Sequence, residues 1–212
     1  MNFEDSLPPL GGFQPFTLSD YPGRPAALLF TSGCNLRCPF CHNWGLLETP
    51  DADGGRVPYE HVFAVLAERA GKLGGVVITG GEPTIHPGLP VLCHRIKDLG
   101  YAVKLDTNGT RPSMLRSLLA EKLIDYVAMD LKGPLERYDE FSGISVERTA
   151  LLESIGIIAG SGLPHRFRTT LVEPLLRPGD RERIAALVPE GSPYVLQRFE
   201  PSRALDPALR VL

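Results

Sequence analysis

The sequence predicts an α/β protein built on a parallel sheet, and three observations predict it. Short apolar runs rich in β-branched residues alternate with segments of helical period. The runs are bounded by turn residues, the 212-residue chain holding 22 Gly and 20 Pro. Polar or Gly-rich motifs follow four of the runs, at the strand ends where parallel α/β folds bind ligands. Right-handed crossovers then give a doubly wound open sheet or a partial barrel.

The elements follow in order. Residues 1–24, with several Pro and Gly, read as an N-terminal extension and an irregular lead-in, and residues 25–212 as one core domain. Ala26–Thr31 reads as the first strand. Tyr59–Ala70 is helical, with Val62, Phe63, Leu66 and Ala70 on one face. Gly75–Thr79 is a strand, and Leu89–Leu99 a helix stopped by Gly100. The strand Ala102–Asp106, the helix Ser113–Lys122, the strand Tyr126–Asp130 and the helix Val146–Ala159 come next. The strand Arg166–Val172, the helix Arg181–Val188 and the strand Tyr194–Phe199 complete six strands and five helices.

Composition narrows the function classes. With 43% hydrophobic and 22% charged residues the chain has the make-up of a soluble globular domain with a sizeable core. Twenty-five acidic residues against 22 basic ones, a net charge of −3, argue against a nucleic-acid partner held through phosphates. No apolar run approaches the roughly 20 residues that span a bilayer, so no membrane partner is expected. The start, MNFEDSLPPL, lacks the apolar core of a signal peptide. The expected compartment is a reducing cytoplasm.

The cysteines carry the strongest signal. Cys34-x3-Cys38-x2-Cys41 puts three thiols on one tight loop, while Cys93 lies in a helical, apolar setting and reads as core. Such close spacing suits ligands of one centre better than disulfides. Two centres fit: an iron–sulfur cluster with one iron left without a protein ligand, or a zinc ion with His42 as fourth ligand. The zinc reading implies a non-enzymatic module, and it leaves the other strand-end motifs unexplained.

Cys34-x3-Cys38-x-Phe40-Cys41 resembles the signature of the radical S-adenosylmethionine (radical SAM) enzymes. The continuation Cys41-His42-Asn43 resembles the subset that activates glycyl radical enzymes. The resemblance extends to Asp20-Tyr21-Pro22-Gly23, Thr79-Gly80-Gly81-Glu82-Pro83, Leu105-Asp106-Thr107-Asn108-Gly109 and Met129-Asp130-Leu131-Lys132, over roughly residues 14 to 200. It is strongest toward the anaerobic ribonucleoside-triphosphate reductase activating proteins.

That resemblance implies a partial (βα)6 TIM-like barrel holding a 4Fe–4S cluster on Cys34, Cys38 and Cys41, with S-adenosylmethionine on the open iron. It implies cofactor-binding roles for Phe40, Gly80, Gly81, Glu82, Asp106, Asn108, Asp130 and Lys132. Lys132 would neutralise the cofactor carboxylate, and Asp106, Thr107 and Asp130 would hold cofactor or a monovalent cation beside it. Glu82 is expected to orient its loop. Gly81→Val is expected to weaken cofactor binding with the iron intact. Asp20 and Asn43 are the candidate substrate contacts, although Tyr21 stands where the activases carry glycine. The implied activity is cleavage of the cofactor to a 5′-deoxyadenosyl radical that takes a hydrogen from a glycine of a partner glycyl radical enzyme, such as anaerobic ribonucleotide reductase. An electron donor such as flavodoxin or ferredoxin is implied as well. The same core would serve a small molecule, such as a nucleoside or pterin precursor. The small chain leaves little for a lid over such a substrate.

Overall fold

The computed structural model describes residues 6–49 and 56–210; the acidic first five residues lie outside the described residues. Seven strands form one sheet: β1 (Leu10–Thr17), β2 (Ala26–Thr31), β3 (Gly75–Gly80), β4 (Ala102–Thr107), β5 (Tyr126–Asp130), β6 (His165–Leu171) and β7 (Tyr194–Arg198). The helices are α1 (Tyr59–Glu68), α2 (Leu89–Asp98), α3 (Pro112–Ala120), α4 (Tyr138–Ser142), α5 (Arg148–Gly160) and α6 (Asp180–Ala185).

Each strand lies beside its successor in sequence, in the order β1-β2-β3-β4-β5-β6-β7. Such an order has no reversal point, so the sheet winds in one direction, as in a barrel and not as in a doubly wound fold. Strands β2 to β7 are parallel; β1 runs antiparallel to β2. The two edges, β1 and β7, are not paired with each other, and the barrel is partial.

Strand β1 corrects the expectation of an irregular lead-in. Its Gly11, Gly12 and Pro15 obscure any alternating pattern, but the strand sits at an edge, where a missing N–H is tolerated. A β-carbon at Gly11 would fall 2.4 Å from both Leu46 Cδ2 and Ser32 Oγ, so both side-chain ends would have to shift to admit one. The pairing with β2 is irregular on both sides of the central residues. The short α4 also went unread.

Strand alternation divides the side chains into two sets. Outward-facing Leu29, Ile78, Leu105, Met129 and Phe167 share one large core with Leu66, Leu92, Leu115 and Ile155 of the helices. Inside, a smaller plug of Tyr21, Ala26, Leu28 and Val77 fills the early part of the strands. Farther along the same inward rows stand Thr79, Asp106, Asp130, Arg168 and Thr170, which line a cavity at the carboxyl ends of the strands. Among the described residues no helix is long and apolar enough to cross a membrane.

Candidate active site

The cavity measures about 520 Å³, within the range usual for small-molecule and cofactor sites. Every residue singled out from the sequence as a site residue reaches its lining. Cys34, Cys38, Phe40, Cys41 and Asn43 come from the loop after β2, and Gly80, Gly81 and Glu82 from the end of β3. Asp106 and Asn108 come from β4, Asp130 and Lys132 from β5, and Asp20 from the segment before β2.

The cysteine loop is held from several sides. Gly33 N–H donates to the Leu46 carbonyl at 2.7 Å, Cys34 N–H to Leu47 at 3.1 Å and Cys41 N–H to Cys38 at 3.0 Å. Arg37 N–H donates to Ser142 of α4 at 2.8 Å. The Arg37 guanidinium donates to the Cys34 and Leu36 carbonyls at 2.7 and 2.9 Å, so it braces the loop from within. All three thiols are free. Burial pushes Cys34 up to about 11 and Cys38 up to about 12, and it also raises Cys41. The charge of Lys132 works against burial at all three. The donor set, soft thiols on one loop facing a shared cavity, fits an iron–sulfur cluster, whose ligands each bind a different iron. Among the described residues no three Cys, His, Asp or Glu side chains are gathered to hold a single metal ion. The His42 ring stacks on Phe199, 5.7 Å between centroids.

The turn after β3 explains its glycines by packing. Gly80 adopts φ +112°, and a β-carbon there would lie 2.5 Å from Thr31 N. A β-carbon on Gly81 would lie 2.1 Å from the Gly33 carbonyl oxygen, beside Cys34. The close approach is thus between this turn and the cysteine loop, clamped by Glu82 N–H donating to Gly33 O at 2.9 Å. Against the expectation that Gly81→Val would spare the iron, side-chain bulk at Gly81 would meet the cysteine loop itself. Asn43 Nδ2 donates to the Gly80 carbonyl at 3.2 Å, tying the two loops again.

Glu82 is 1% exposed, and its carboxylate accepts from Thr84 N–H, Thr84 Oγ1, Thr107 Oγ1 and Asn108 N–H. Burial raises its pKa against the pull of these donors. These bonds tie the β3 and β4 loops together through Glu82. Asn108 is occupied in the same way: its Nδ2 donates to Asn35 of the cysteine loop at 3.0 Å, and its Oδ1 accepts from Thr110 N–H at 3.0 Å.

The opposite wall is charged. Arg168 Nε donates to Asp130 Oδ1 at 2.7 Å, and its Nη1 to Asp106 Oδ2 at 3.1 Å. Lys132 Nζ donates to Asp130 Oδ2 at 3.0 Å, and the fully buried Lys104 donates to Asp106 Oδ1. The Arg168 and Lys132 charges hold the Asp130 carboxyl below the usual carboxylate range despite its burial. Burial, with the neighbouring charges of Arg168 and Arg166, drives the Lys104 pKa down, opposed by Asp106.

Phe40 is buried between the thiols, with its side chain also part of the main core. Asp20 accepts from Thr17 Oγ1 and, at 2.9 Å, from Ser19 Oγ. Cys93 is wholly buried in α2, away from this lining.

Lys104, Arg168, Thr170, Gln197 and Arg203 were not singled out from the sequence. For Arg168 the local pattern gave its direction, though not its partners. In HRFRTTL the outward Phe167 fixes the phase of β6, which turns Arg168 inward next to Asp130 across the β5–β6 pairing.

The Radical SAM superfamily profile matches residues 28–188. The chain is 32% identical over 209 residues to a protein of Methanocaldococcus jannaschii that carries the provisional name of glycyl-radical enzyme activating enzyme, covering 96% of this chain and 85% of that one. It is 27% identical over 198 residues to the 7-carboxy-7-deazaguanine synthase of Thermococcus kodakarensis, covering 84% and 76%. Among solved structures it resembles Streptococcus suis SuiB bound to its precursor peptide SuiA, with a TM-score of 0.63 at 18% identity. That match covers 82% of this chain but only 38% of SuiB, and it speaks to the fold alone.

Proposed function

The chain belongs to the radical SAM superfamily, and within it we propose that it activates a partner glycyl radical enzyme by taking a hydrogen atom from a backbone glycine. When bound, a 4Fe–4S cluster and S-adenosylmethionine supply the radical chemistry. The chain's own residues bind, orient and exclude water. Cys34, Cys38 and Cys41 hold the cluster. Lys132 and its charged neighbours would meet the cofactor carboxylate, Phe40 would pack on the adenine, and the β3 turn would meet the amine.

One observation carries the protein-substrate reading. The two sheet edges, β1 and β7, are not paired with each other, and both border the cavity, through Gln14 and Gln197. Unpaired strand edges beside the cavity offer main-chain groups with which an extended protein loop can pair. A loop entering there would shut water out of the reaction. Asp20 and Gln197, on the lining, would bond its backbone. An electron donor such as flavodoxin or ferredoxin would reduce the cluster.

A second reading, a small nucleoside- or pterin-like substrate, is favoured by the similarity to 7-carboxy-7-deazaguanine synthases. Label transfer separates the two. With the right partner protein, or a peptide from its glycine loop deuterated at glycine, the reduced enzyme should move deuterium into 5′-deoxyadenosine and leave a glycyl radical visible by electron paramagnetic resonance. Deuterium arriving only from a small metabolite, with no protein radical, would refute the activase reading.

A further inference from the structure

The charged wall has a consequence for the monovalent cation that the family resemblance led us to expect beside Asp106 and Asp130. A carboxylate pair attracts such an ion most strongly where its oxygens face no other cation. Here each of the four oxygens already accepts from a cationic side chain: Asp106 from Lys104 and Arg168, Asp130 from Arg168 and Lys132. The central member is the guanidinium, whose planar fork spans both carboxylates at once.

The charge count agrees. Three cations, Lys104, Lys132 and Arg168, face two anions, Asp106 and Asp130, leaving one net positive charge in a largely buried wall. Arg166, one inward position earlier on β6, adds more positive charge toward Lys104. Another cation would enter a region already in positive excess, at a cost raised by burial. An anion such as a carboxylate would complete it.

We propose that Arg168 is a positioning residue that takes the place of a monovalent metal ion, bridging Asp106 and Asp130 so that cofactor binding is indifferent to potassium and sodium. Its task is to hold the two aspartates in register across β4, β5 and β6 and to leave Lys132 directed at the cofactor. The inference rests on family membership and not on the identity of the hydrogen donor. Failure of the glycine-label experiment would leave it standing.

The test is anaerobic calorimetry of S-adenosylmethionine binding to the cluster-loaded protein, in potassium, sodium or tetramethylammonium chloride at equal ionic strength. The wild-type affinity should be the same in all three. Arg168→Gln should bind about tenfold or more weakly in tetramethylammonium, the scale of a lost charged hydrogen bond, and recover when potassium or sodium is added. Arg168→Lys keeps the charge but cannot bridge both carboxylates, so it should show a smaller loss and a smaller rescue. Wild-type binding that needs potassium or sodium would overturn the proposal, even if the Gln variant failed to fold. So would Lys or Gln variants with wild-type affinity in every salt.

Discussion

The two walls of the cavity are built on different forces. The wall made by the loops after β2, β3 and β4 is held by hydrogen bonds to backbone, the Arg37 brace included, and by close backbone contacts converging on Gly33, Gly81 and Glu82. The wall made by β4, β5 and β6 is held by ion pairs among Lys104, Asp106, Asp130, Lys132 and Arg168. The first fixes where the thiols stand. The second sets the charge that an incoming cofactor meets. Close packing tolerates almost no added volume, whereas an ion-pair set tolerates rearrangement as long as charges stay matched. The two walls should therefore fail in different ways.

The largest effect is expected at the tightest contact. Gly81→Val places a β-carbon against the Gly33 carbonyl oxygen, and overpacking of this kind costs about 1–3 kcal/mol or more before the loop yields. Iron content and cofactor binding should fall together. A Gly81→Val protein with full iron and only cofactor binding impaired would show that the two loops are less tightly coupled than the contact implies.

A smaller but more diagnostic difference lies in pH dependence. Glu82 has its pKa raised by burial. Its contribution to stability therefore declines as pH rises from the unfolded value through the raised folded value. Asp130 has its pKa lowered by Arg168 and Lys132. Its contribution is present above the unfolded value and is lost as pH falls through the folded one. In urea unfolding between roughly pH 3 and pH 7, the stability deficit of Glu82→Gln should shrink as pH rises, and that of Asp130→Asn should grow. Parallel profiles would mean that the two carboxylates sit in equivalent settings.

The same contrast explains what could be read from the sequence. Strands β2 and β5 match their expected limits, and β3, β4, β6 and β7 fall within a residue of theirs; β2, β3 and β5 show most plainly the buried apolar run of a parallel strand. Strand β1 was hidden by Gly11, Gly12 and Pro15, residues an edge accepts and a pattern search rejects. The cysteine loop and the strand-end motifs were legible because their chemistry is local in sequence. Arg168 was not, because its meaning depends on strand pairing that brings it to Asp130 and Asp106 from far along the chain. Glu82 and Asn108 were legible as belonging to the site. That their polar atoms are largely spent on other loops is a property of tertiary structure.

The central claim, that one wall holds the cluster ligands and the other receives the cofactor, is tested most directly by measuring iron content and S-adenosylmethionine affinity on the same two variants. Glu82→Gln leaves the buried Asn108 N–H facing an amide, a loss of about 1–3 kcal/mol in the brace, and should retain less iron after anaerobic desalting. Lys132→Ala leaves Asp130 paired with Arg168, so it should keep its iron while binding the cofactor about tenfold or more weakly. Loss of iron in Lys132→Ala, or full iron retention with impaired cofactor binding in Glu82→Gln, would contradict the account.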